Sequence, residues 1–520
     1  MTARRTASIA RRLAAGLPAV LAALVAAGLP GAGARGGELR AATAVVDVTD
    51  PGATRVHDPA LAKVLLLERD GVRAALVTID VVAIGGIGPI GDAFLGELRE
   101  RVAHEPGIPA GRLFVNASHC HAAVAADVAE RVAGAVAAAA GRLEPVRVGA
   151  GRAHEGRISE NRRVDLVDGS QADMRRAYAM PPDEAIAATG PIDPEVGLLR
   201  LDRADGTPLA VVYLFACHPI MNPPRRGTSA DFPAVASRVI EEALGHGAVA
   251  LFVQGCGGDV NPVRYKETDR PADAEPLGSM LGGTVLGALP RIATVADAPL
   301  EAFHERVELP RATDHEARIE RLLAERDALV AGLAPTNISF EQFLPLLVAR
   351  GAFPLDPGRS RQRTLHDRAL APDGPDDAAE HDAELDAQIE AYRRNIAALE
   401  RITRLNVNLA LLEAHRARRD AAGGAPIPAE IGTLCVGDFT LVTFPGEVVS
   451  AVGQDVKRAS GDPHTFVAGY TDGYLHYLPT ARQRANTGFA QEDCDCLVAP
   501  EWERIFTDAA ARSLERLRGR

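Results

Sequence analysis

From about residue 40 to 300 the chain alternates between short β-branched apolar runs and alanine-rich stretches. In order these include AKVLLLE, AALVTIDVVAI, GDAFLGELRERVAHE, RLFVNAS and VAERVAGAVAAAAGRL. No other feature restricts the fold as strongly. Strands alternating with helical segments of roughly 10–15 residues build an α/β protein whose mixed sheet is covered by helices. The chain order fits layers rather than repeats. Over residues 313–332 and 378–420 apolar residues return every three or four positions, which predicts long helices separated by a Pro- and Gly-bearing stretch at 353–376. After residue 427 the strand pattern returns in EIGTLCVGDFTLVTFPGE and TFVAGYTDGYLHYLP. One α/β domain over 40–310 and 426–520, interrupted at 311–425 by an inserted helical hairpin, explains this return better than three independent domains.

At 520 residues the chain exceeds what a single hydrophobic core usually covers. Its 47% hydrophobic and 24% charged residues exclude disorder as the default state. A net charge of -12 argues against a nucleic-acid binder, which needs excess Lys and Arg to replace phosphate counterions.

Arg4, Arg5, Arg11 and Arg12 precede the apolar LAAGLPAVLAALVAAGLP, and small residues follow to Ala32, Gly33 and Ala34. A basic start, an apolar middle and an A-x-A-like end form a signal peptide over residues 1–34, so export to the periplasm or the cell exterior is expected. A retained membrane anchor is the alternative, and no other segment is long and apolar enough to span a bilayer. The six cysteines resist a disulfide framework. Buried thiols are the preferred reading, with a CxC metal clip at Cys494 and Cys496 as the alternative.

Four apolar runs end in polar, metal-competent residues: RLFVNASHCH, LAVVYLFACHP, AVALFVQGCGGDVNP and FTLVTFPGE. Open α/β sheets place ligands at the carboxyl ends of their strands, where such loops converge. The candidates are His119, His121, His218, Asp259 and Glu447. Residues two apart in an extended segment share a side, so His119 and His121 are expected to face one site. Each residue alone also fits a structural role, and Glu447 in Pro-Gly-Glu fits the start of a helix. Together, a His/His/Glu trio suits a catalytic zinc with an open coordination position. GCGGDVNP lacks the Lys-Ser/Thr ending of a phosphate loop. Ser118 and Ser229 lack the G-x-S-x-G elbow of a nucleophilic serine.

Taken together, these loops resemble the neutral/alkaline non-lysosomal ceramidases and their bacterial relatives. NASHCHAA is similar to the family's His-x-His segment, SENRR to its Asn-Arg segment and FACHP to its second histidine site. QGCGGDVNP resembles its Gly-Asp-Val-x-Pro loop, FPGE its Pro-Gly-Glu and GYLHYLPT its late tyrosine segment. The six matches keep the family's chain order. The resemblance implies a zinc ion held by His119, His218, Glu447 and Tyr477, with His121 and Arg162 lining the pocket to polarise the scissile carbonyl or stabilise its oxyanion. It also implies hydrolysis of an N-acyl amide, with a ceramide-like lipid as the nearest substrate class and peripheral contact with membrane lipid. No protein partner is evident.

The chain departs from that pattern at three places. Asn261 replaces the family's serine after Gly-Asp-Val, Phe489 falls where the family has a second active-site tyrosine, and the sequence runs to Arg520 without a β-rich carboxyl-terminal domain. A zinc hydrolase of soluble amides or esters, and a non-catalytic protein that binds a lipid or partner, are the competing expectations.

Overall fold

The run LAKVLLLER becomes a strand in which residues 62–67 are all buried. A strand buried on both faces needs a layer on each side, and that requirement organises the molecule. The computed structural model describes residues 37–174, 180–222, 227–267, 271–349, 377–488 and 490–519. The expected signal at 1–34, the stretch at 353–376 and Phe489 lie outside the described residues.

Eight strands form the larger sheet: β1 (Arg40–Asp47), β2 (Leu61–Arg69), β3 (Val72–Ile79), β4 (Leu113–Ala117), β5 (Glu144–His154), β6 (Glu195–Arg203), β7 (Pro208–Phe215) and β8 (Val249–Gln254). Their order is β8-β7-β6-β5-β1-β2-β3-β4. The pairs β3/β4 and β7/β8 are parallel and the rest antiparallel. The sheet curls until its edges meet, where the Gln254 amide of β8 donates to Asn116 Oδ1 of β4 at 2.9 Å.

A second sheet contains β9 (Leu300–Leu309), β10 (Ile427–Val436), β11 (Phe439–Thr443) and β12 (Thr465–Ala468), in that spatial order. Here β11 and β12 are parallel. The two sheets pack face to face through a core that includes Phe114, Leu199 and Leu201 from one and Leu434, Phe439 and Phe466 from the other. Gly197 permits the close approach, since a Cβ there would lie 2.4 Å from the Phe466 ring.

Helices cover both outer faces. α1 (Phe94–His104) and α2 (Val128–Ala140) pack on β1–β4, and α3 (Asp231–Leu244) and α4 (Glu275–Ala288) on β6–β8. Between β9 and β10 the chain forms α5 (His315–Ala331), α6 (Phe340–Ala349) and α7 (Asp377–Ala421). The short α6, which contains Pro345, was not separately legible in the sequence. α5 and α7 pack through Ile319, Leu322, Leu405, Leu409 and Leu412 around Cys494. α8 (Ser450–Ser460), the single turn α9 (Ala481–Arg484) and α10 (Trp502–Arg518) complete the chain, with α8 and α10 packing beneath the second sheet. The result is the expected α/β architecture of covered mixed sheets, in the order helix, sheet, sheet, helix.

All six cysteines are free thiols, five buried and Cys435 half-buried. Among the described residues no helix is long and apolar enough to cross a membrane.

Candidate metal centre

Parallel neighbours place their carboxyl ends side by side, and here five strand ends are laced together. Ala117, ending β4, donates its amide to Tyr470 O, just past β12, at 3.0 Å. Gly255, after β8, donates to Phe215 O at the end of β7, and Phe444, after β11, donates to Ala468 O at the end of β12, both at 2.9 Å. His119, His218 and Glu447 each follow one of these ends, so the topology delivers residues from three distant segments to one place.

The Nε2 atoms of His119 and His218 lie 3.5 and 3.0 Å from Glu447 Oε2, and the three side chains are buried. His119 Nδ1 faces Val82 O at 2.6 Å, and His218 Nδ1 faces Val260 O at 3.0 Å. A carbonyl only accepts, so each Nδ1 carries a ring proton, and a ring in its neutral form turns the Nε2 lone pair toward the carboxylate. With neutral rings acceptor then faces acceptor, a contact that a cation between them makes favourable. A proton is disfavoured on His119, whose pKa burial pushes down to about 4. Burial works against the Glu447 charge as well, but positive charge at His119 and His218 and the hydrogen bond from Tyr474 outweigh it and hold the carboxyl well below its usual range; a bound cation would act in the same direction. Two imidazole nitrogens and a carboxylate oxygen, all within 4.8 Å of one another, fit a divalent metal such as zinc. The backbone carbonyls behind the histidines are the outer partners such ligands need.

Three of the chain's seven tyrosines fall at 470, 474 and 477, beside this trio. Tyr470 donates its hydroxyl to Glu447 Oε2 at 3.3 Å, and Tyr474 donates to Oε1. Burial and the adjacent Glu447 charge raise both phenol pKa values, keeping the donors protonated. Tyr477 joins the trio through the backbone, pairing with Glu447 in a short parallel ladder, and its ring centroid lies 6.5 Å from that of His218. The family resemblance points to Tyr477 but not to Tyr470 or Tyr474, whose signal in the sequence is the cluster of tyrosines after an apolar run.

No protein-family model matches the sequence, and no curated protein matches it. Solved structures do. The neutral ceramidase from Pseudomonas aeruginosa is similar over 92% of this chain and 75% of its own, at 17% identity and a TM-score of 0.57. A ceramidase complexed with C2 is similar over 93% and 76%, at 16% identity and a TM-score of 0.56. The chain has the fold of neutral ceramidase.

The ceramidase fold also positions the remaining candidates around this centre. β4 stops at Ala117 and His119 adopts a left-handed φ of 67°, so His119 and His121 are not related by strand alternation as expected. Their ring centroids are 6.1 Å apart, and His121 is open to solvent on one side. Packing on its other side, then the neighbouring His119, lower the His121 pKa to about 4, leaving the ring neutral at pH 7.

Arg162 is buried with every nitrogen engaged. Its Nε bonds Glu492 Oε1 at 2.8 Å, Nη1 bonds Asn261 Oδ1 at 2.8 Å, and Nη2 bonds Gly258 O at 2.6 Å. Nη1 also lies 3.5 Å from His218 Nε2, and the guanidinium sits 5.3 Å over the Tyr477 ring. Asp259 is a brace: its carboxylate accepts from the Ser450 amide at the start of α8 at 2.8 Å and from Asn161 Nδ2 at 3.1 Å. Among the described residues no metal-competent group includes Cys494 or Cys496.

Proposed function

We propose that the protein is an exported zinc-dependent amidohydrolase that cleaves an N-acyl amide, with ceramide-like lipids as substrate class. Cleavage would give a fatty acid and the free amine of a sphingoid base. The observation that carries the reading is the convergence of the His119 and His218 lone pairs on the ionised Glu447, at the strand ends of a fold shared with neutral ceramidase. His119 Nε2, His218 Nε2 and Glu447 Oε2 would hold the metal, with Tyr477 as the fourth ligand that the resemblance implies. Zinc in such a site supplies a Lewis acid that polarises a carbonyl and brings the ionisation of water near neutral pH.

The chain's own residues do the rest. Tyr470 and Tyr474 fix both oxygens of Glu447 by donated hydrogen bonds, which keeps the carboxylate aimed at the histidines. Neutral His121 offers an N–H on the open side, where it would donate to the scissile carbonyl oxygen as negative charge develops. Arg162 contributes its field from behind His218, because its hydrogen bonds are already used by Glu492, Asn261 and Gly258. The signal-like residues 1–34 support export, which would bring the enzyme to lipid or wall-derived amides.

One observation favours a second reading, hydrolysis of a water-soluble amide or ester. Asn261, where the ceramidase pattern has serine, ties down Arg162 Nη1 and leaves no hydroxyl there. The deciding assay incubates the mature protein with detergent-dispersed ceramide and with a soluble N-acyl amino acid, each with and without chelator, and follows released fatty acid. Chelator-sensitive turnover of ceramide supports the leading reading, and turnover of the soluble compound alone supports the second. Turnover of neither would contradict both.

A further inference from the structure

A second group of metal-competent side chains, His415, His476 and Asp495, is buried near the first, and its wiring is the reverse. Arg418 Nη1 lies 2.6 Å from His476 Nε2. A guanidinium has no acceptor, so the N–H donates and His476 Nε2 must accept with its lone pair. The ring proton therefore sits on Nδ1, which donates to Asp495 Oδ1 at 2.8 Å. His415 Nε2 lies 2.8 Å from the same oxygen and donates to it. Every close pair is donor on acceptor, and no lone pairs converge as they do at Glu447. The group forms a hydrogen-bonded chain running from Arg418 through His476 to Asp495, with His415 joining from the other side and its buried Nδ1 making no hydrogen bond.

That chain ends on the elements of the candidate metal centre. The His476 carbonyl accepts the Glu447 amide at 2.9 Å, and the Asp495 carbonyl accepts the Tyr477 amide at 3.1 Å. The His476 ring packs 5.0 Å from that of Tyr474, whose hydroxyl is on Glu447. The segment carrying these residues is strained: Tyr470, Asp472 and His476 have φ of 53°, 60° and 59°, a left-handed region that disfavours residues bearing a side chain. Strain of this kind persists only where neighbours hold it. Asp472 is held by the Val115 amide at 2.9 Å and by His304 at 2.8 Å. His476 is held by Asp495 and by Arg418 of α7.

We propose that His415 and Arg418 of α7 are positioning residues for the metal centre, acting through His476 and Asp495 on Glu447, Tyr474 and Tyr477. The inference rests on the hydrolase reading above and gives the long helix a role in the site itself. α7 is suited to it, since α5 and α7 pack around Cys494, the neighbour of Asp495.

Arg418 is exposed, so its substitution leaves the core intact. The test compares the parent with Arg418→Met and Arg418→Lys, each loaded with cobalt(II). It records metal per chain, the visible cobalt spectrum, which reports ligand geometry, and kcat and KM on the acyl amide that the parent turns over. Arg418→Met is expected to bind one metal with an altered spectrum, and to lower kcat by roughly 10–100-fold with little change in KM, the range seen for partners of metal ligands. Arg418→Lys, which keeps a donor, is expected to restore both. An unchanged spectrum and kcat in Arg418→Met would overturn the proposal while leaving the hydrolase reading intact. A second metal in the parent that is lost in His415→Ala would overturn it as well. A parent that neither binds metal nor turns over would fail the hydrolase reading first, and this inference with it.

Discussion

His218 presents Nε2 to Glu447 Oε2 at 3.0 Å while its Nδ1 is committed to the Val260 carbonyl. With the ring neutral, two acceptors are held in contact inside the protein, an arrangement that a metal ion turns from repulsive to favourable. Replacing Glu447 with alanine removes the charge that balances such an ion. Glu447→Ala is expected to lower kcat/KM on the acyl amide by at least roughly a hundredfold, or about 2.7 kcal/mol of transition-state stabilisation. Activity within a fewfold of the parent would contradict the assignment.

Metal binding to the folded state alone must also appear as stability. Zinc added back to chelator-stripped protein is expected to raise the melting temperature, with about 2.7 kcal/mol gained at a free concentration 100 times the Kd. Differential scanning fluorimetry across a zinc titration checks this. The same titration on His119→Ala should be flat, and an equal rise there would place the metal elsewhere.

Asp80, half-buried behind the His119 loop, gives a pH dependence of opposite kind to an ion-paired acid. Burial raises its pKa from 3.8 to about 6, against the Leu61 amide, which donates to Oδ2 at 3.0 Å, and Lys63. The folded state thus holds this proton more tightly than the unfolded one. The stability it contributes is present below about pH 4 and declines as pH rises through 6. Asp80→Asn removes the dependence, so the variant should gain on the parent by ~2–3 kcal/mol between pH 4 and 7. Urea unfolding at several pH values measures the difference, which would be constant if Asp80 ionised freely.

Glu492 lies against Arg162 at 2.7 Å with both side chains buried. Removing one partner strands the other charge, so Glu492→Ala is expected to cost about 3–5 kcal/mol of stability. A lowered denaturant midpoint at constant m-value is the expected outcome. A loss under about 1 kcal/mol would mean that Arg162 finds water or another partner once Glu492 is gone.

The residues at the ends of apolar runs were legible because strand order and ligand position are coupled in an α/β sheet. His119, His218 and Glu447 could be named without knowing how the sheets pack. Tyr470 and Tyr474 could not, since their aim depends on left-handed φ values at Tyr470, Asp472 and His476, which are not glycines; Gly473 marks a turn in the segment but not which side chains it aims. The His119-x-His121 spacing misled for the same reason: it implied a continuing strand, whereas the strand ends at Ala117. Asp259 looked like a ligand by its place after β8, yet Ser450 and Asn161 occupy its oxygens. The pairing of Arg162 with Glu492 spans 330 residues and leaves no local pattern to read.

If loops from distant parts of the chain meet around one metal ion, elemental analysis of the purified protein, alongside His218→Ala, will find one zinc per chain in the parent and a large loss in the variant. A parent that holds no zinc even after reconstitution would rule the metal centre out.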